Sequence, residues 1–335
     1  MAAQALLDIQ HLSVNFKVYG GTVHAVRDLS LSVAKGETLA IVGESGCGKS
    51  VSCLAVMGLI PKPSGQITQG KILFKGQDLL KLSKQELRHI QGNKIAMIFQ
   101  DSMTALNPTL TIGEQLTEGV MRHHGLSKAQ AYAKAVEMLE LVGIAQAEDR
   151  LSQYPHQFSG GMRQRIVIAM ALMSEPDLLI ADEPTTALDV TIQAQVLELF
   201  EQIQKKTGVA IILITHDLGV VAKIADHIAV MYAGQCIEYG GRGEIFYQAQ
   251  HPYTQGLLAS VPRLDMLENS LRPIDGSPPD LFSPPKGCGF FSRCHQRLKV
   301  CQSYVPPHYE VNSEHLVRCW LQDSRVQYRS KDNKE

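Results

Sequence analysis

The sequence predicts a P-loop α/β fold with an antiparallel β portion ahead of the core, a helical insertion within it and a small irregular C-terminal lobe. Three observations predict the core. The glycine-rich stretch G-E-S-G-C-G-K-S at Gly43–Ser50 sits between a short apolar run and a helical pattern. Two continuous apolar runs, Leu178–Ala181 and Ala210–Ile214, have the length of strands buried on both faces. Between those runs lies one long helical pattern, giving the strand–helix–strand alternation of a parallel sheet.

Taken in order, residues 6–16 and 24–33 alternate like half-exposed antiparallel strands. Leu39–Val42 form a short apolar strand that runs into the glycine-rich stretch. From Lys49 onward, S-V-S-C-L-A-V-M-G-L has helical spacing, and Pro61 is expected to end that helix. Lys94–Phe99 reads as a further strand and is followed by Gln100. From about 101 to 175 the chain turns helical; Ser127 with Gln130 makes a capping-box pattern and Gly143 a stop. T-I-Q-A-Q-V-L-E-L-F-E-Q-I-Q-K-K-T-G is a crossover helix ending near Gly208. Composition shifts at about 262, and Arg272–Gly287 hold five of the fifteen prolines, which marks a linker or irregular segment. The expected division is a core domain over 1–262, with its helical subdomain at about 101–175, and a cysteine-bearing lobe over 263–335 ending in a disordered polar tail.

Hydrophobic residues make up 44% of the 335 and charged residues 19%, an ordinary globular balance. A formal net charge of −1 excludes a nucleic-acid partner held by bulk electrostatics. No apolar run approaches the ~20 residues that cross a bilayer, and the N-terminus lacks the basic and apolar regions of a signal peptide. Any membrane role is therefore expected to come through partners. Seven cysteines in a leaderless chain argue for thiols or metal ligands rather than a disulfide scaffold, and the expected compartment is the cytosol.

A loop that wraps anionic phosphates with backbone N–H groups needs side chains absent where the chain passes closest. Gly43, Gly46 and Gly48 meet that need, with Ser45, Cys47 and Val51 completing the candidate nucleotide set. Cys47 is expected to point away from the phosphates. Lys49 places a point charge near the β and γ phosphates, and the Ser50 hydroxyl can ligate Mg²⁺. Asp182 ends the apolar run L-L-I-A, the place for a carboxylate that holds Mg²⁺ through water. Glu183 comes next, where a general base polarises an attacking water; the competing reading is that D-E-P only caps and turns the strand. His216 follows A-I-I-L-I-T. A lone histidine at a strand end is usually structural, but ligands sit at such strand ends in nucleotide-binding sheets, so contact with the γ phosphate is expected. Gln100 stands at an equivalent strand end as a sensor of Mg²⁺ or of the attacking water.

Gly43–Ser50, Gln100, F-S-G-G-M at Phe158–Met162, Leu178–Glu183, Ala187–Leu188–Asp189 and His216 occur in the order found in ABC-transporter ATP-binding subunits. They resemble that family's Walker A, Q-loop, signature, Walker B, D-loop and H-loop, and the resemblance covers residues 6–262. It implies an ABC-type nucleotide-binding domain with ATP and Mg²⁺ as cofactors, Mg²⁺ being held through Ser50, Gln100 and Asp182. It also implies a head-to-tail pair of such domains, in which Ser159, Gly160, Gly161 and Met162 face the ATP of the partner subunit. The family's usual L-S-G-G-Q reads F-S-G-G-M here, so Met162 removes an amide while the small residues remain. An aromatic that stacks on adenine is expected near the end of the first strand, with Phe16 the first candidate and Tyr19 the second.

H-P-Y-T-Q-G-L-L at His251–Leu258, Q-D-S-M-T-A-L-N-P and A-D-E-P-T-T-A-L-D-V-T-I-Q-A-Q are similar to the D-subunit type of the dipeptide and oligopeptide branch. This resemblance implies an ATPase peripheral to the cytoplasmic face of the plasma membrane. Its partners would be a second ATP-binding subunit, two transmembrane permeases and an extracytoplasmic peptide-binding protein. Cys288, Cys294, Cys301 and Cys319 are separated by five, six and seventeen residues. That spacing leaves a metal site and four independent thiols both open, since neither zinc-ribbon nor ferredoxin spacing fits. The resemblance implies a [4Fe–4S] cluster on these four, with zinc as the alternative. Two other readings compete. A soluble ABC ATPase acting on DNA repair or ribosomes would carry a long heptad segment or two ATPase halves, and neither is present. A regulatory metal protein with a degenerate nucleotide site would have lost Lys49, Asp182 or Glu183, and all three are present.

Overall fold

A computed structural model describes residues 5–101, 104–185, 190–260 and 274–326. Ala187, Leu188 and Asp189 of the expected D-loop lie outside the described residues, as do the boundary expected at 262 and the polar tail. The chain opens with β1 (Leu7–Val18), β2 (Gly21–Val33), β3 (Thr38–Val42), α1 (Lys49–Val56), β4 (Gly65–Phe74) and β5 (Gln77–Asp78). There follow α2 (Lys84–Ile90), β6 (Ile95–Ile98), α3 (Ile112–His124), α4 (Lys128–Leu141), α5 (Ala147–Arg150) and α6 (Gly160–Leu172). Next come β7 (Leu178–Asp182), α7 (Val190–Thr207), β8 (Ala210–Ile214), α8 (Leu218–Ile224), β9 (His227–Tyr232) and β10 (Gln235–Gly241). The described chain closes with α9 (Arg242–Gln248), α10 (Pro252–Ala259), β11 (Tyr309–Asn312) and β12 (His315–Val317). Among the described residues no helix is long and apolar enough to cross a membrane.

Two compact units divide the chain: 1–7, 32–38 and 73–215 form one, and 8–31, 39–72 and 216–335 form the other. In the first, β6, β7 and β8 run parallel, pairing Ile98 with Ala181 and Asp182 with Ile214. Every residue of β7 and β8 is buried, as a sheet covered on both faces requires. Helices α3, α4 and α6 pack together as the helical insertion. Their ends follow the capping signals: Ser127 and Gln130 form the reciprocal capping box that opens α4. Gly143, at φ 76°, donates its N–H to Glu140 and the following Ile144 N–H reaches Leu139, the paired bonds of a Schellman close.

In the second unit, β2, β1 and β4 lie side by side, and β3, β9, β10, β12 and β11 form a second sheet in that order. β3 and β9 are parallel, while β10 is antiparallel to both β9 and β12. The C-terminal segment is therefore partly regular: besides short 3₁₀ turns, it extends a core sheet by β12 and β11. One expectation fails in detail. α1 ends at Val56, not at Pro61, because Gly58 turns left-handed at φ 65°. Gly58 N–H bonds Ala55 O and Leu59 N–H bonds Leu54 O, so a Schellman close stops the helix before the proline is reached.

Candidate functional site

In the second unit, the end of β3 leads into the phosphate loop, and α1 begins at Lys49 directly after it. Gly43 and Gly48 take φ values of 150° and 100°. A Cβ on Gly43 would stand 2.2 Å from the Met231 carbonyl oxygen, and one on Gly48 2.4 Å from that of Ala25. Both glycines are thus demanded by close backbone neighbours, while Ser45 and Gly46 form the exposed lip of the loop. Lys49 is buried, and its ammonium donates to the carbonyls of Gly43 (2.8 Å) and Glu44 (3.1 Å). The side chain therefore closes the loop into a ring with its charge inside. Cys47 is buried beneath the loop, where burial raises its thiol pKa. Ser50 and Val51 occupy the first turn of α1 and are partly buried.

Phe16, near the end of β1, is half-buried; its ring lies where a Cβ on Gly65 would come within 2.8 Å. Tyr19, in the turn before β2, is fully exposed at 107%. A partly packed ring suits stacking better than a fully exposed one. His216 is exposed, and the adjacent Asp217 caps α8 by accepting from the N–H groups of Gly219 and Val220.

In the first unit, Asp182 is buried at the end of β7 and Glu183 follows it with φ 47°. The Glu183 N–H donates to Ile214 O at 2.9 Å, which fixes the turn beyond the sheet. Gln100, just beyond β6, donates from Nε2 to Glu183 Oε2 at 3.2 Å. Two residues singled out separately in the sequence are thus brought together. Ser159 caps α6, its Oγ accepting the Met162 N–H at 3.3 Å. Gly160 begins the helix. A Cβ on Gly161 would meet Ile192 of α7 at 3.0 Å, so packing as well as ligand approach keeps this position small. Phe158 is buried, with the Arg150 guanidinium 5.7 Å from its ring centroid.

Cys288, Cys294, Cys301 and Cys319 all line one small cavity of about 10 Å³ in the second unit, together with His251 and Trp320. Burial pushes the Cys288 thiol up to about 11 and the Cys319 thiol up to about 12. His251 is fully buried and its pKa is pushed down to about 4, chiefly by that burial. Its Nδ1 accepts the Tyr253 N–H at 3.0 Å, which leaves the proton on Nε2. That Nε2 is buried and has no hydrogen-bond partner among the described residues. Among the described residues, no three His, Cys, Asp or Glu side chains converge on a single-ion site.

Two contacts to the phosphate loop escaped the sequence reading. The Tyr253 hydroxyl accepts the Glu44 N–H at 3.0 Å, and Arg293 Nη1 pairs with Glu44 Oε2 at 2.8 Å. H-P-Y-T-Q-G-L-L does contain Tyr253, but only as a family marker. Arg293 carried no signal, being a lone arginine 249 residues from its partner.

Comparison with known proteins agrees with this architecture. The ABC transporter family model matches residues 26–186, and the model for the C-terminal region of oligopeptide/dipeptide transporters matches residues 237–301. The dipeptide transport ATP-binding protein DppD of Bacillus subtilis is 62% identical over 325 residues, covering 97% of each chain. The oligopeptide transport ATP-binding protein OppD of the same organism is 56% identical over 317 residues, covering 94% of this chain and 88% of its own. Among solved structures, cbiO1 of Clostridium perfringens, part of an ABC transporter complex, aligns with TM-score 0.62 at 30% identity. That alignment covers 73% of this chain and 91% of cbiO1. A dimeric bacterial ABC transporter cassette aligns with TM-score 0.63 at 25% identity, over 70% of this chain and 98% of its own. Near full-length identity to two such proteins, with both family models matched in order, places this chain in the ABC transporter family, among the dipeptide and oligopeptide transport ATP-binding proteins.

Proposed function

We propose that this chain binds and hydrolyses ATP to drive peptide uptake through partner permeases. The observation that carries the reading is the phosphate loop, with Lys49 closed over it and glycines where no side chain fits. Gly43, Ser45, Gly46, Cys47, Gly48, Lys49, Ser50 and Val51 would cradle the phosphates, with Phe16 against adenine and Tyr19 the weaker candidate. Mg²⁺ would be held through Ser50, Gln100 and Asp182, while Glu183 takes a proton from the attacking water and His216 contacts the γ phosphate. Ser159, Gly160, Gly161 and Met162 would complete the charge cage around ATP held by a second subunit, since the capped N-terminus of α6 presents backbone N–H groups. Closure on ATP and release after hydrolysis would then move two permeases, from a peripheral position on the cytoplasmic membrane face. A tagged chain, purified from its own membranes, is expected to bring two permeases, a second ATP-binding subunit and a peptide-binding protein. Purification of the chain alone, with no ATP-dependent dipeptide uptake by vesicles made from those membranes, would overturn the transport reading.

The reading of the four cysteines as ligands of a [4Fe–4S] cluster, with zinc as the alternative, is supported by their lining one cavity, since such a cluster takes one thiolate per iron. The unpartnered Nε2–H of His251, on the same cavity wall, would donate to a sulfur of the group or of its ligands. When bound, such a cluster supplies a cross-link among four thiolates and a one-electron couple. Protein purified anaerobically is expected to absorb near ~400 nm and to lose that band in Cys294→Ser. Stoichiometric zinc in such protein would refute the iron–sulfur reading.

A further inference from the structure

The loop that carries Cys288 and Cys294 has a second face. Between the two cysteines the chain makes a tight turn: Phe291 N–H bonds Cys288 O at 3.1 Å and Arg293 N–H bonds Phe290 O at 3.1 Å. Cys288 and Cys294 line the four-thiol cavity, while Arg293 reaches the phosphate loop. Every nitrogen of its guanidinium is committed. Nη1 donates to Glu44 Oε2 (2.8 Å) and to the Tyr232 hydroxyl (3.1 Å), Nε to Asp275 O (2.8 Å) and Nη2 to Ile274 O (3.0 Å). The side chain is 5% exposed and stacks near the rings of Tyr232 and Phe290. Glu44 is the second residue of the phosphate loop, and its backbone N–H is held by Tyr253, whose ring packs on Tyr232 at 4.5 Å. A five-donor planar group bound at all three nitrogens has no freedom to shift alone. Displacement of the 288–294 turn therefore strains the contact with Glu44.

We propose that Arg293 is a positioning residue for the phosphate loop, and that through it the ligation of the four cysteines sets how tightly the loop holds ATP. The first half rests only on the loop binding nucleotide; the second half also rests on the occupied cavity proposed above. By linkage the dependence runs both ways: bound ATP would favour the ligated cysteines by the same factor.

The test measures equilibrium affinity of the full chain for a non-hydrolysable ATP analogue with Mg²⁺, beside iron and zinc content and hydrogen exchange of the loop amides. Arg293→Ala is expected to weaken binding at least tenfold and to speed exchange at residues 44–47, with Arg293→Lys recovering part of the loss. Cys301→Ser, which removes a ligand without touching Arg293, is expected to weaken binding several-fold. The double variant is expected to bind no more weakly than Arg293→Ala alone, because the two losses share one path. Should Arg293→Ala fail to fold, Glu44→Gln removes the ion pair from the partly exposed side and must weaken binding with metal content unchanged. Wild-type affinity in folded Arg293→Ala or in Glu44→Gln overturns the positioning role whatever the cavity holds. Additive losses, or loss of metal in Cys301→Ser without loss of affinity, overturn the coupling while the occupied cavity stands. A wild-type chain free of iron and zinc overturns the occupied cavity and the coupling together, yet Arg293→Ala must still weaken binding for the positioning role to survive.

Discussion

Glu183→Gln is expected to lower ATP turnover by about 10²–10⁴-fold, the usual contribution of a general base, while nucleotide stays bound. The substitution is well isolated. Glu183 sits in a turn at φ 47° whose N–H is fixed to Ile214 O, and neither feature depends on the carboxylate. Glutamine keeps the length and an amide oxygen that can still accept from Gln100 Nε2, so the local hydrogen bond survives. The negative charge and the basicity are lost. Phosphate release from the assembled transporter, followed alongside retained labelled ATP, separates the two effects. Turnover at the wild-type rate would remove Glu183 from the role of base.

The second large effect is expected in binding. Lys49→Ala removes an ammonium that bonds the carbonyls of Gly43 and Glu44 from a buried position. A contact with phosphate would be charge-assisted and worth about 1.5–3 kcal/mol, so affinity for ATP is expected to fall by roughly 10- to 150-fold. Loss of the internal ring adds to this, since the loop must then be ordered by the nucleotide itself. Titration of the purified variant with a fluorescent ATP analogue reads the change, and an affinity equal to wild type would contradict the phosphate-loop assignment. The pair of variants is diagnostic: one spares binding and loses chemistry, the other loses binding first.

The elements easiest to read were those governed by local rules. Buried strands announced themselves as uninterrupted apolar runs at Leu178–Ala181 and Ala210–Ile214, and both lie within the observed strands. The Ser127–Gln130 box and Gly143 marked the ends of α4 because capping involves residues only three or four apart. The end of α1 departs from the expectation at Pro61, because Gly58 carries the earlier stop. A left-handed glycine closes a helix wherever the next N–H groups can turn back, and a proline further on then has nothing left to terminate.

By itself the order of motifs along the chain determined the fold class and the nucleotide chemistry, because phosphate binding demands particular residues within eight consecutive positions. What only the tertiary structure decided were the pairings between distant residues. Gln100 with Glu183, four cysteines around one cavity, and Arg293 on Glu44 each depend on how strands and turns far apart in sequence come to rest together. A lone arginine or glutamine carries no periodicity and no spacing rule. Its role is set by which carboxylate the fold brings within reach, and that proximity is a property of the folded chain.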